Sequence, residues 1–190
     1  MSHRRGEHVR QTVLTAAFDE LVENGVGAAS IAGVAGRSGV HETTIYRRWS
    51  TKENLFVDAM LSRSAELIPT PDTGSVRDDL HAVVRAVVAY VKSPAGRAGL
   101  QVAALPLDDF REAREAFWAG RLDALCPVVD RGIARGELRP DTDARLLLEA
   151  LVAPLHGRLL LTGEPIDEKL AERLVDLVLD GALWPAGLHP

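Results

Sequence analysis

Cys126 is the single cysteine in this 190-residue sequence, so no intrachain disulfide can form, which fits a reducing compartment. Long apolar runs are missing too. None approaches the ~20 residues of a membrane helix, and the opening Met-Ser-His-Arg-Arg-Gly-Glu lacks the apolar stretch of a signal peptide. The expectation is a cytoplasmic chain with no membrane partner. Patterns for catalysis and metal binding are equally scarce. The 6 histidines are scattered without His-x-x-x-His spacing, and there is no Cys-x-x-Cys. No Gly-rich phosphate loop or Gly-x-Ser-x-Gly elbow occurs. Asp108, Asp109, Asp141 and Asp143 fall at predicted helix starts, where a carboxylate caps backbone N–H groups and suits the dipole. No catalytic residue, metal site or cofactor is expected. An enzyme, or a helical interaction protein that binds no DNA, stands as the alternative reading.

The chain also lacks excess positive charge. Its net charge is −5, which by itself argues against a nucleic-acid partner. The distribution changes that picture. Residues 1–53 carry 7 Lys and Arg against 6 Asp and Glu, with His3, His8 and His41 in addition. Residues 54–190 carry 15 against 21, so the acidic excess lies there. A weakly basic head should bind DNA non-specifically only modestly, and with steep salt dependence.

What is present is helix, with no persuasive alternating strand pattern. A first helix is predicted over 7–24, with Val9, Val13, Ala16, Ala17, Leu21 and Val22 as its apolar stripe and Asn24-Gly25 as its end. Ser30 is a good N-cap for a second helix reaching Arg37, although Gly33 and Gly36 inside it each cost roughly 1 kcal/mol relative to alanine. Gly39 marks a tight turn, and a third helix follows over 42–49. Ile31, Val34 and Ala35 can pack against Val40 and Ile45, and Ala35 is small enough to let the two helices approach. Left outward on the third helix are Thr43, Thr44, Tyr46, Arg47 and Arg48, whose hydroxyls and guanidinium groups suit phosphates and base edges. This is the logic of a helix-turn-helix with its second helix in the major groove. Trp49 is expected in the core. The segment His3-Arg4-Arg5 is either a minor-groove arm or a disordered tail, the tail being the plainer reading.

Ser50-Thr51-Lys52-Glu53 restarts a helix, with Ser50 or Thr51 as cap, and this fourth helix should connect the head to the rest. The run 69–75 is a clear break, and further helices are predicted over 75–92, 95–104, 107–135, 141–162 and 166–183. Pro127 and Pro154 fall inside periodic segments and are expected to kink or split them. The predicted class is all-α: a helix-turn-helix DNA-binding domain over 1–53 and a helical ligand-binding and dimerisation domain over 54–190.

Gly-Val-His-Glu-Thr-Thr-Ile-Tyr-Arg-Arg-Trp-Ser-Thr-Lys-Glu-Asn-Leu resembles the recognition-helix signature of the TetR family of bacterial transcriptional repressors. The motif covers roughly residues 8–56, and the chain length and helical remainder also match. The resemblance implies a repressor that binds a palindromic operator in double-stranded DNA as a homodimer and is released by an unknown, apolar or amphipathic small molecule. It implies that the tyrosine, Tyr46, contacts phosphate, although a packing aromatic is the alternative. Arg47, Arg48 and Lys52 are expected phosphate contacts, with Ser30 and Arg37 as secondary ones. The chain departs from the family pattern at His41, where a small capping serine is usual, and at Glu42, which is often basic. Glu42 either accepts from a cytosine amino group or simply suits a helix start.

For the remaining helices, candidate pocket residues combine apolar bulk with sparse polar handles: Leu105, Phe110, Phe117, Trp118, Leu122, Cys126, Leu151, Leu155 and His156. For each of them plain core packing is the plainer reading. The last two long helices are apolar on several sides and need more than one neighbour. By resemblance they form a four-helix dimer interface through Leu147, Leu151, Leu155, Leu159, Leu170, Leu174, Leu177 and Val178.

Overall fold

A computed structural model describes residues 2–93, 96 and 111–180. Apart from residue 96, the expected helix over 95–104 lies outside the described residues, as do the pocket candidates Leu105 and Phe110. Within them the order is α1 (Ser2–Ala28), α2 (Ile31–Ser38), α3 (Glu42–Trp49), α4 (Lys52–Leu67), α5 (Val76–Lys92), α6 (Arg111–Ala134), α7 (Ala144–Gly157), a π-helical turn (Arg158–Thr162) and α8 (Glu168–Asp180). No strand occurs among them.

The described residues fall into two compact units, one from 2–68 with those of 90–124, the other from 69–89 with 125–180. In the first unit α1 packs on α2 and α4. Val13, Leu14, Ala17, Phe18 and Leu21 supply its buried face, spaced at three and four residues as a helix stripe requires. Phe56, Ala59 and Met60 of α4 and Phe117 of α6 fill the same core. Burying a side chain of that size contributes roughly 1.5–3 kcal/mol. The expected end of the first helix is a sharp bend, where the backbone leaves helical angles at Gly25 (φ 69°, ψ 165°). Its start differs from the expectation: the backbone is already helical at Ser2, so the basic segment continues the helix. The α4 cap is Thr51, whose hydroxyl accepts from the Asn54 N–H at 3.2 Å, leaving Ser50 to form the junction at a φ of 61°. A boundary at residue 53 falls at the start of α4, which packs with α1 in the first unit.

The second unit is built on apolar residues that recur at three- and four-residue spacing along its helices. Leu80, Val83 and Val84 of α5, Val128 and Val129 of α6, Leu148, Leu151 and Leu155 of α7, and Ala171, Leu174 and Val175 of α8 are buried. The loop before α5 is tied down by polar contacts. The buried Asp79 carboxylate accepts from the Thr73 N–H and hydroxyl, both at 2.8 Å, and Glu137 accepts from the Val76 N–H at 2.8 Å. Asp143 caps α7 by accepting from the Leu146 N–H at 3.0 Å. Pro127 and Pro154 do not split their helices, which continue through both positions. Both rings lie on exposed faces of their helices. The helical path after Pro154 widens into the π turn, closed by the Gly163 N–H on the Arg158 carbonyl at 2.8 Å.

Candidate nucleic-acid interface

Two eight-residue helices and the turn between them make the site. Ser30 caps α2, its hydroxyl accepting from the Gly33 N–H at 3.0 Å. The chain leaves α2 through Gly39 at φ 69° and ψ 11°, a left-handed conformation that glycine takes without a Cβ penalty, and its N–H closes on the Ala35 carbonyl at 2.9 Å. His41 then caps α3: its Nδ1 accepts from the Thr43 N–H at 3.4 Å and lies 3.0 Å from the Thr43 hydroxyl. An imidazole nitrogen that accepts carries no proton, so the threonine hydroxyl is the donor in the second contact. The histidine thus performs the task that a serine usually performs in the motif.

The inner face of α3 is anchored. Ile45 and Trp49 are buried, and the Trp49 indole N–H donates to Asp58 of α4 at 3.0 Å. Asn54 donates to the Trp49 carbonyl at 3.2 Å, which fixes the α3–α4 junction. The outer face is open. Glu42, Thr43, Tyr46, Arg47 and Arg48 are exposed, and Thr44 is half-buried. Lys52 is half-buried in the first turn of α4. Arg48 lies 5.6 Å from the Trp49 ring centroid, a cation–π distance. Among the described residues, no ion pair involves Arg47, Arg48 or Lys52, so these three cations remain available. An open groove of about 760 Å³ runs between Val9 and Arg10 of α1 and Thr44 and Arg47 of α3.

Arg37 is placed differently. Its Nε donates to Glu20 at 2.8 Å and its Nη2 to Glu23 at 2.5 Å. Those two hydrogen bonds raise its proton affinity and hold the Glu23 carboxyl below the usual carboxylate range. Glu20 is only 5% exposed and also accepts from the Ser30 N–H at 3.4 Å. Gly33 makes room for it, since a Cβ there would overlap the Glu20 carboxylate. The clasp joins α1 to both ends of α2. Glu20 escaped the reading of the sequence, although it stands three and four residues from Ala17 and Ala16 on the apolar stripe. An acid on that face calls for a cation.

Other expected site residues are dispersed. Phe117, Trp118 and Leu122 belong to the first unit; Cys126, Leu151, Leu155 and His156 belong to the second. Phe117 and Trp118 meet edge to face, with ring centroids 5.2 Å apart. Burial pushes the His156 pKa down to about 4. Of the expected interface residues, Leu151, Leu155 and Leu174 are buried within the second unit, Leu147, Leu159, Leu170 and Val178 are half-buried, and Leu177 is exposed.

A capped helix pair with a glycine turn, an anchored inner face and unpaired cations outward is a helix-turn-helix of the DNA-binding kind. Residues 13–59 match the model of the bacterial regulatory proteins of the tetR family, and residues 70–178 match that of the Tetracyclin repressor-like C-terminal domain. The chain belongs to the TetR family of transcriptional regulators, which are not enzymes. It is 34% identical over 179 residues to the HTH-type transcriptional regulator AqdR of Rhodococcus erythropolis, covering 93% of this chain and 86% of that one. It is 32% identical over 179 residues to the DNA-binding transcriptional repressor TetR of Mycobacteroides abscessus, covering 92% and 94%. The crystal structure of the TetR family transcription regulator SCO0332 superposes with a TM-score of 0.79 at 32% identity, over 92% of this chain and 98% of that one. No helix among the described residues is long and apolar enough to cross a membrane.

Proposed function

We propose that the chain is a ligand-responsive repressor that binds a palindromic operator as a homodimer and leaves it when a small apolar or amphipathic effector binds. The observation that carries this reading is the outer face of α3, where Arg47 and Arg48 stand exposed, without a carboxylate partner among the described residues, beside Thr43 and Tyr46. Residues 1–53 read DNA; residues 54–190 sense the effector and pair the two copies. Thr43 and Thr44 face base edges, and Tyr46, Arg47, Arg48 and Lys52 hold phosphates. The Thr43 hydroxyl donates to His41, so its free lone pairs suit an adenine or cytosine amino group. Ser30 contacts the backbone at the start of α2, and Glu42 sits at the helix start that its charge favours. Arg37 serves the scaffold through Glu20 and Glu23.

The dimer forms through α7 and α8. Leu146 of α7, Leu161 of the π turn and Leu177 of α8 are exposed, and large exposed leucines suit a partner. Leu147, Leu159, Leu170 and Val178 flank them, while Leu151, Leu155 and Leu174 support the face from inside. The repressor assignment draws support from the relative that carries that description. Fluorescence anisotropy with DNA from upstream of the chain's own gene tests the reading, together with sedimentation. The expected result is a dimer on two half-sites about 34–36 Å apart. A chain that stays monomeric at micromolar concentration, or binds all DNA alike, contradicts it.

A further inference from the structure

Two buried polar atoms in the first unit have no hydrogen-bond partner among the described residues. Arg121 of α6 is 7% exposed, and its buried Nη2 has no hydrogen-bond partner among the described residues. Tyr90, near the end of α5, is also 7% exposed, and its buried hydroxyl has none either. Neither residue serves the helix-turn-helix. Arg121 lies four residues after Phe117, on the same face of α6, and Phe117 is part of the core around Phe56, Ala59 and Met60. An arginine among apolar side chains cannot escape the cost of burial by losing its proton.

The positive charge of Arg121 acts on the Tyr90 hydroxyl. Burial pushes the Tyr90 hydroxyl up, and the positive charges of Arg121 and Arg63 oppose that shift. Arg63 already has an acid, its Nη1 donating to Glu66 at 2.8 Å. Arg121 has no ion pair among the described residues. A guanidinium Nη2 and a phenol O–H, neither with an acceptor among the described residues, suit an anion with several acceptor lone pairs in a plane. The surroundings are apolar. Trp118 lies edge to face with Phe117, and a Cβ added at Gly120 would come within 3.3 Å of Leu61.

We propose that the interior of the first unit binds a small organic carboxylate with an apolar body, Arg121 gripping the carboxylate and Tyr90 donating a hydrogen bond to it. This deepens the effector reading above and rests on it only for the consequence to DNA binding. The route to that consequence is α4. Its Phe56, Ala59 and Met60 share a core with Phe117, and Asp58 holds the Trp49 indole of α3.

Calorimetry on the full chain with sodium octanoate and sodium 1-naphthoate, each beside its methyl ester, tests the site without DNA. At least one acid should bind, and its ester at least tenfold more weakly. Arg121→Met should weaken acid binding at least thirtyfold and Tyr90→Phe about fivefold. Arg121→Met should also raise the melting temperature of the unliganded chain, because it removes an unpaired buried charge at similar volume. The proposal is overturned if neither acid binds, if the ester binds as well as the acid, or if Arg121→Met binds the acid like the wild type. It is also overturned if Arg121→Met lowers the unliganded melting temperature and Asp108→Asn or Asp109→Asn lowers it equally, since Arg121 then serves an internal ion pair. Operator affinity is read separately. Acid binding that leaves it unchanged supports the site and removes the effector role, whereas a chain that binds no operator removes the repressor reading and leaves the site standing.

Discussion

Helices α2 and α3 are the same length, each is capped by a side chain at its N-terminus, and each carries arginine in its last turn. Their arginines differ in company. Arg37 on α2 is held by two carboxylates, one of them buried. Arg47 and Arg48 on α3 are exposed and have no ion pair among the described residues. A charge satisfied within the chain builds the scaffold, and a charge left without a partner is available to DNA. Residue type alone does not separate the two; the neighbours do.

The largest expected effect tests the scaffold side of this contrast. Glu20→Ala removes an acceptor shared by Arg37 and the Ser30 N–H and leaves a gap, and should cost about 3 kcal/mol in urea unfolding. Gly33→Ala should destabilise the wild type but not the Glu20→Ala background, where the colliding carboxylate is gone. Equal effects of Gly33→Ala in both backgrounds would contradict the close approach.

Burial acts differently on a titratable group, and His156 in the second unit provides the comparison. Below pH 6.5 the unfolded chain takes up a proton that the folded chain refuses until about pH 4. Stability is therefore whole above pH 6.5 and falls as pH drops through that window, by roughly 2 kcal/mol after allowance for partial exposure. His156→Gln should flatten this part of the stability profile. An unchanged acid slope in urea titrations at successive pH values counts against the assignment.

A smaller effect concerns the caps. His41→Ala should cost about 1 kcal/mol, and His41→Ser should recover most of it. If alanine and serine are equally stable by thermal unfolding, the histidine is not acting as a cap.

The helix-turn-helix was legible because its signals are local. The predicted span 42–49 is the observed Glu42–Trp49, and Ser30 caps and Gly39 turns as serine and glycine chemistry requires. What escaped was the partnership between residues distant in sequence. Glu20 and Arg37 are 17 apart, so periodicity could show an acid on an apolar stripe but not the cation that meets it. The same gap made Gly33 read only as a cost to helix stability, when the missing Cβ is what admits the carboxylate. In α6, Arg121 is buried at apolar spacing after Phe117, and nothing in a charged residue type marks that burial in the sequence. For α7, hydropathy marked Leu151 and Leu155 but could not tell the protomer's own core from a surface left for a partner.

The salt dependence of operator binding tests the central contrast most directly. Arg47→Ala and Lys52→Ala should change folding stability by less than about 0.5 kcal/mol, yet each should flatten the slope of log affinity against log salt by about 0.9 for every phosphate it no longer neutralises. Arg37→Ala should destabilise the fold and, under conditions where it remains folded, keep the wild-type slope. If Arg37→Ala flattened the slope while Arg47→Ala and Lys52→Ala left it unchanged, the division between scaffold charge and DNA-facing charge would be wrong.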